Sequence, residues 1–209
     1  ENYSLNFQGL QIWNYANENC LLLLEKGLNK WVDLLLNGRH IFIEGGTDAH
    51  GDLNKYAGKV KTYTHVPGYS QNDLPPCKEI IDALRYGHSV MTDGPLVVFN
   101  ITNGQNETEV IGNETKGTNF TLNIQWESTN EFGVINHIRV YQGIIGRSAE
   151  AKIRDLTPSS LKGSAIYVPT EIPESNATYF RLAATTNKGF AAYTNPIWIG
   201  VNHQQDINL

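Results

Sequence analysis

Phe120-Thr121-Leu122-Asn123-Ile124-Gln125-Trp126 carries an apolar side chain at every second position and a polar one between. Successive side chains of an extended chain point to opposite faces, so this run is a strand with one buried and one solvated side. Similar short runs lie around it at residues 96–101, 135–142, 165–168, 179–184, 190–193 and 197–201, separated by turn signals. Residues 99–209 are therefore expected to form an antiparallel β-sandwich domain of immunoglobulin-like shape. The Cys…Trp…Cys spacing of true immunoglobulin domains is missing, so the label describes shape alone.

Upstream of Asp93-Gly94-Pro95 the period changes. Leu28, Trp31, Val32 and Leu35 recur at i, i+3, i+4 and i+7, and Gly38 stands where a helix would stop. A strand at residues 40–44 follows directly, and another at 10–13 precedes the helix. A loop rich in Gly, Asn and Tyr leads to a strand at 60–66. Pro75 and Pro76 then open a helix in which Cys77, Ile80, Ile81 and Leu84 repeat the helical spacing, with Gly87 placed to end it. A strand at 88–92 completes a β, α, β order, which is what part of a parallel α/β barrel or sheet would show. The reading is α/β plus all-β, with residues 1–98 as the α/β domain. Cys77, on the apolar face of its helix, is expected to be a buried thiol, and Cys20 and Cys77 are too few to define a disulfide framework.

The chemistry concentrates in Gly45-Gly46-Thr47-Asp48-Ala49-His50-Gly51. If the strand continues through it, Asp48 and His50 point to one face and reach one cation together. A carboxylate with an imidazole suits Zn, Mn or Fe. The other reading is an Asp capping a turn beside a half-exposed His. Trp13 and Asn14 end a neighbouring strand and are candidate pocket residues, or else a core Trp and a turn Asn. His65 is a third candidate for the pocket, as ligand or proton donor, or a surface imidazole. His40 and His88 begin strands at solvated positions. Trp126, Trp198 and Tyr179 are either an aromatic platform for a sugar or sandwich core. Neither Gly-x-Ser-x-Gly nor a phosphate loop ending in Lys-Ser/Thr occurs, which leaves serine hydrolase and P-loop chemistry without support.

Several segments, taken in order, carry a family resemblance: residues 9–14, 31–39, 46–51 (Gly-Thr-Asp-Ala-His-Gly), 80–87 and Met91-Thr92-Asp93-Gly94-Pro95. Together they resemble the last part of a PHP (polymerase and histidinol phosphatase) domain, of the kind found in metal-dependent phosphoesterases and carbaryl-hydrolase-like metallohydrolases. The resemblance covers roughly residues 8 to 103, and Thr194-Asn195-Pro196-Ile197-Trp198 resembles the way such chains end. It implies a distorted (β/α)7 barrel holding two or three divalent ions, with ligands that begin at a His-x-His pair and finish at Asp-x-His. Only the finish is present, since none of the six histidines forms His-x-His. The resemblance thus implies the C-terminal portion of a PHP-type barrel followed by the sandwich, with Asp48 and His50 as surviving metal ligands. The N-terminal half would come from the same gene or a companion chain. It further implies hydrolysis of a phosphorylated or ester small molecule by metal-activated water, with this chain alone incomplete and inactive. The competing expectation is a non-catalytic extracytoplasmic binding or attachment module on a truncated scaffold.

Composition bounds these readings. The 209 residues carry a net charge of −5, and without a Lys/Arg cluster nucleic acid is not an expected partner. The longest aliphatic run, residues 21–24, is far too short to span a bilayer, and the first residues lack a signal-peptide pattern. Asn-x-Ser/Thr sequons start at Asn2, Asn100, Asn106, Asn113, Asn119 and Asn176. They point to a secreted or extracytoplasmic protein if glycosylated, and otherwise follow from an Asn-rich and Thr-rich cytoplasmic chain.

Overall fold

The computed structural model describes residues 7–14, 20–51, 53, 57–69, 73–173 and 177–200. Sequons Asn2 and Asn176, Val201 of the last expected strand, and His203 lie outside them, and of Cys20 only the backbone is described. In chain order the elements are β1 (Gly9–Asn14), α1 (Cys20–Leu36), β2 (Phe42–Gly46), β3 (Lys61–Thr64), α2 (Cys77–Arg85), β4 (Ser89–Thr92), β5 (Leu96–Thr102), β6 (Thr108–Val110) and β7 (Glu114–Thr115). They continue with β8 (Thr121–Glu127), β9 (Ile135–Ile144), β10 (Ala151–Leu156), β11 (Lys162–Tyr167), β12 (Thr178–Thr186), β13 (Ala191–Thr194) and β14 (Ile197–Ile199).

Three layers result. The outer sheet has the order β11-β8-β5-β6, and the central eight-stranded sheet runs β10-β9-β12-β13-β4-β3 with β14 and β7 attached through β12. The third layer is the parallel pair β1-β2 together with α1. Alternation assigns the faces. From β12, Phe180, Leu182 and Ala184 join Val97, Phe99, Leu122 and Ile124 in the sandwich core. Tyr179 points the other way, into a second core with Trp31, Leu35, Phe42, Ile43 and Met91. The same split divides Ile197 and Ile199 from Trp198, and Val90 from Met91. Because both faces of β12 are covered, its residues are buried almost without interruption.

The barrel portion expected for residues 1–98 is absent: the α/β part of the fold-class reading is wrong. β3 and β4, although α2 lies between them in the chain, pair antiparallel. β4 then pairs antiparallel with β13, so both strands belong to the central sheet. Among the described residues, parallel pairing is confined to β1-β2 and the two-residue contact of β7 with β14. A β, α, β order specifies a parallel crossover only when the helix covers the sheet, and α2 does not. It buries only Ala83, leaves Ile81 54% exposed, and exposes Cys77, contrary to the buried thiol expected there. By contrast α1 is a true layer: Leu24, Trp31 and Leu35 are buried, and the Trp31 indole N–H donates to the Ile41 carbonyl at 2.7 Å. The antiparallel sandwich is present, enlarged by β3 and β4 from the first half.

A buried ion pair on the central sheet lies against Trp31 of α1. Arg181 Nε donates to Glu150 Oε1 at 2.7 Å, and a second guanidinium nitrogen bonds Oε2. Tyr179 donates its hydroxyl to the same carboxylate at 2.7 Å. The guanidinium lies over Tyr141, 4.3 Å from its centroid, and 5.4 Å from that of Trp31. The carboxylate beside it holds Arg181 protonated, outweighing burial, while burial and the same carboxylate push the Tyr179 hydroxyl up.

Candidate functional site at the end of strand β2

Two side chains fix β2 in place. Asn195, fully buried, accepts the Ile43 N–H at 2.7 Å and donates to the Ile43 carbonyl at 3.2 Å, so it bonds β2 as a neighbouring strand would. Its Nδ2 also reaches Ser89 Oγ at 3.0 Å, tying β2 to β4. At the other end Thr62 Oγ1 accepts the Gly45 N–H at 2.9 Å and donates to the Gly45 carbonyl at 2.8 Å. A side chain at Gly45 has no room, because a Cβ would stand 2.7 Å from Met91 Cγ and Val60 Cγ1. Gly45 is thus needed for close packing of β2 on the central sheet.

Beyond Gly46 the chain leaves the strand. Asp48 adopts the left-handed region at φ 47° and Gly51 follows at φ 76°, so the two candidate ligands do not share a strand face. They converge through a turn instead, with His50 Nε2 3.0 Å from Asp48 Oδ1. Both are open to solvent, the His50 side chain at 85% and that of Asp48 at 50%. With the carboxylate as acceptor, Nε2 carries the proton.

The remaining sequence candidates do not gather there. Trp13 pairs in register with Gly45 and Asn14 with Gly46, so both strands end on one rim. Trp13 is nevertheless core, 2% exposed, with its ring edge-on to Tyr193 at 5.7 Å. Asn14 is exposed and accepts a hydrogen bond from Gln11. His65 follows β3, and its N–H donates to the His88 carbonyl at 2.7 Å. Thr62 sits beside Gly45 and Thr64 beside Ser89, which is tied to Ile43. His65 therefore continues toward the opposite end of β2 from Asp48. Trp126, Trp198 and Tyr179 are buried, and His40 stacks on Trp198 with centroids 4.2 Å apart.

Among the described residues no three His, Cys, Asp or Glu side chains form a group able to hold a metal. Asp48 and His50 fit a divalent ion in donor type and in mutual distance, but they are two donors where a tight site takes at least three. Asp93, at the end of β4, was not singled out by sequence reading as a functional side chain. It accepts the Ala191 N–H at 2.7 Å, and burial, partly offset by that bond and by Lys61, pushes its carboxyl up to about 6. The Thr92-Asp93-Gly94-Pro95 turn is its only local signal. Of the described sequons, Asn106 and Asn119 occupy exposed turns at φ 63° and 56°. Asn100 and Asn113 are engaged by Asn123 and by Glu109 and His88.

Comparison of the chain with family models, curated proteins and solved structures gave no match. None of these comparisons identifies a PHP domain. No helix among the described residues is long and apolar enough to cross a membrane.

Proposed function

We propose that this chain carries part of the metal centre of a hydrolase acting on phosphate esters, with Asp48 and His50 as two of its ligands. The observation that supports it is the 3.0 Å approach of an exposed carboxylate oxygen and imidazole nitrogen just beyond β2. Cis ligands at Zn–N and Zn–O lengths of about 2.1 Å stand about 3.0 Å apart in octahedral geometry and about 3.4 Å in tetrahedral. A bound divalent ion would supply hydroxide near neutral pH and neutralise phosphate oxygens. Asp48 contributes negative charge. His50 would bind through Nε2, with its ring proton carried on Nδ1. The described residues supply no third donor, so the further donors are assigned to a companion segment, and the 209-residue chain alone is expected to bind weakly and not to turn over.

Titration with Mn²⁺ under NMR observation tests this. Paramagnetic broadening is expected first at the His50 ring and is expected to disappear in Asp48→Ala. Uniform broadening, or none at His50, would refute the assignment, and stoichiometric tight metal in the chain by itself would refute the incompleteness of the site. A second reading, an extracytoplasmic binding module, draws on the exposed turns at Asn106 and Asn119. A mass increase removable by an N-glycosidase on protein secreted from a eukaryotic host would support it.

A further inference from the structure

At the open edge of the sandwich, a cleft of about 340 Å³ lies between β3 and the outward side of β5 and β8. Its size falls in the range of small-molecule sites, about 300 to 1,000 Å³. Thr62 turns inward to Gly45, so Tyr63 and His65 turn the other way and line the cleft. Leu96 and Val98 give it an apolar floor, and no Lys, Arg, Asp or Glu lines it. Tyr63, 43% exposed, offers an aromatic face.

The polar groups are held in fixed roles. Asn123 Nδ2 donates to Asn100 Oδ1 at 2.8 Å and to Thr102 Oγ1 at 3.2 Å. That leaves Asn123 with a free acceptor and Asn100 with a free donor. Asn113 Nδ2 donates to Glu109 at 2.7 Å, which turns its oxygen to His88 Nε2 at 2.8 Å. His88 Nε2 therefore donates, and in the neutral ring Nδ1 remains as an acceptor. The Gln125 side chain makes no hydrogen bond among the described residues, so its whole amide is available to a ligand. Donors and acceptors in alternation suit hydroxyl groups, which do both. An aromatic ring with an apolar floor suits the C–H face of a pyranose, and a lining without formal charge selects against ions.

We infer that this cleft binds a neutral saccharide, with the pyranose on Tyr63 and its hydroxyls on Asn100, Asn123, Gln125 and His88. The site is separate from the Asp48/His50 pair and does not depend on it. The full chain, with labelled side-chain amides, would be titrated with the methyl glycosides of glucose, galactose, mannose and N-acetylglucosamine and with cellobiose, lactose and chitobiose. Glucose 6-phosphate and methyl glucuronoside form the anionic arm. At least one neutral sugar is expected to shift the Asn100, Asn123 and Gln125 amides saturably, without dependence on added salt. Tyr63→Ala is expected to weaken that binding at least about tenfold. Gln125→Ala, on the solvent face of β8, is expected to weaken it with the fold intact by circular dichroism. No response to any neutral sugar would overturn the proposal. So would binding confined to the anionic arm and lost in salt, or unchanged affinity in both variants.

Discussion

Replacing Asn195 with Ala should loosen β2 more than any exposed substitution in the molecule. The side chain is fully buried and bridges Ile43 on β2 and Ser89 on β4 through four hydrogen bonds. Alanine leaves the Ile43 N–H and carbonyl without partners in a dry interior, at about 1–3 kcal/mol for each. Ser89 retains other options, because its hydroxyl rotates. The expected loss is therefore about 4 kcal/mol, a large part of the roughly 5–15 kcal/mol that holds a typical domain folded. Guanidinium unfolding followed by tryptophan fluorescence measures the total. Amide exchange at Ile43 separates a local effect from a global one, and its protection should collapse more than that of Leu122 in the outer sheet. A loss below about 1 kcal/mol with Ile43 still protected would mean that the bridge contributes little and that β2 is held by packing alone.

Other outcomes follow from individual contacts. Burial raises the Asp93 carboxyl from its ordinary 3.8 to about 6, so the unfolded chain releases that proton at lower pH than the folded one. Its ionisation therefore erodes stability as pH rises from about 4 to 6. Asp93→Asn, which keeps an acceptor for the Ala191 N–H, should raise the melting temperature at pH 7.5 and leave it nearly unchanged at pH 4. Gly87 and Gly146 both have positive φ, 69° and 86°, but a Cβ at Gly87 would overlap the Phe42 ring whereas Gly146 has open space. Alanine at Gly146 should cost about 1–2 kcal/mol, and at Gly87 distinctly more by urea unfolding. Glu150→Gln strands a buried guanidinium and should cost about 3–5 kcal/mol, while the double change with Arg181→Met should recover much of it in a double-mutant cycle.

Period-two alternation was legible wherever a strand buries one face: the runs at 96–101 and 120–126 correspond to β5 and β8. The helical period around Leu28 to Leu35 likewise found α1, though not the extent of its N-terminal turns. β10, Ala-Lys-Ile-Arg-Asp-Leu, escaped because it is a largely exposed edge strand whose apolar alternation breaks after Arg154 and whose register is irregular between Lys152 and Arg154. β6 and β7 are too short to show a period. What a pattern cannot state is the partner. Nothing local to Lys61–Thr64 or Ser89–Thr92 says that they run antiparallel and join a sheet completed by β13 about a hundred residues later. The same limit hid Asn195, which acts on a strand 152 positions away. The i, i+2 spacing of Asp48 and His50 reads as one face of a continued strand, whereas the strand ends at Gly46 and a left-handed Asp48 brings the two side chains together.

The two-sided central sheet makes the chain hard to divide. Cutting at residue 98 would strip β3 and β4 from one sheet edge and uncover Tyr179, Trp198 and the Arg181 guanidinium on its far side. Such a piece would be sticky rather than modular, and its neighbours in solution would compete to re-cover that face. Evolution could therefore exchange the loops around this sheet far more easily than it could shuffle either half into another gene.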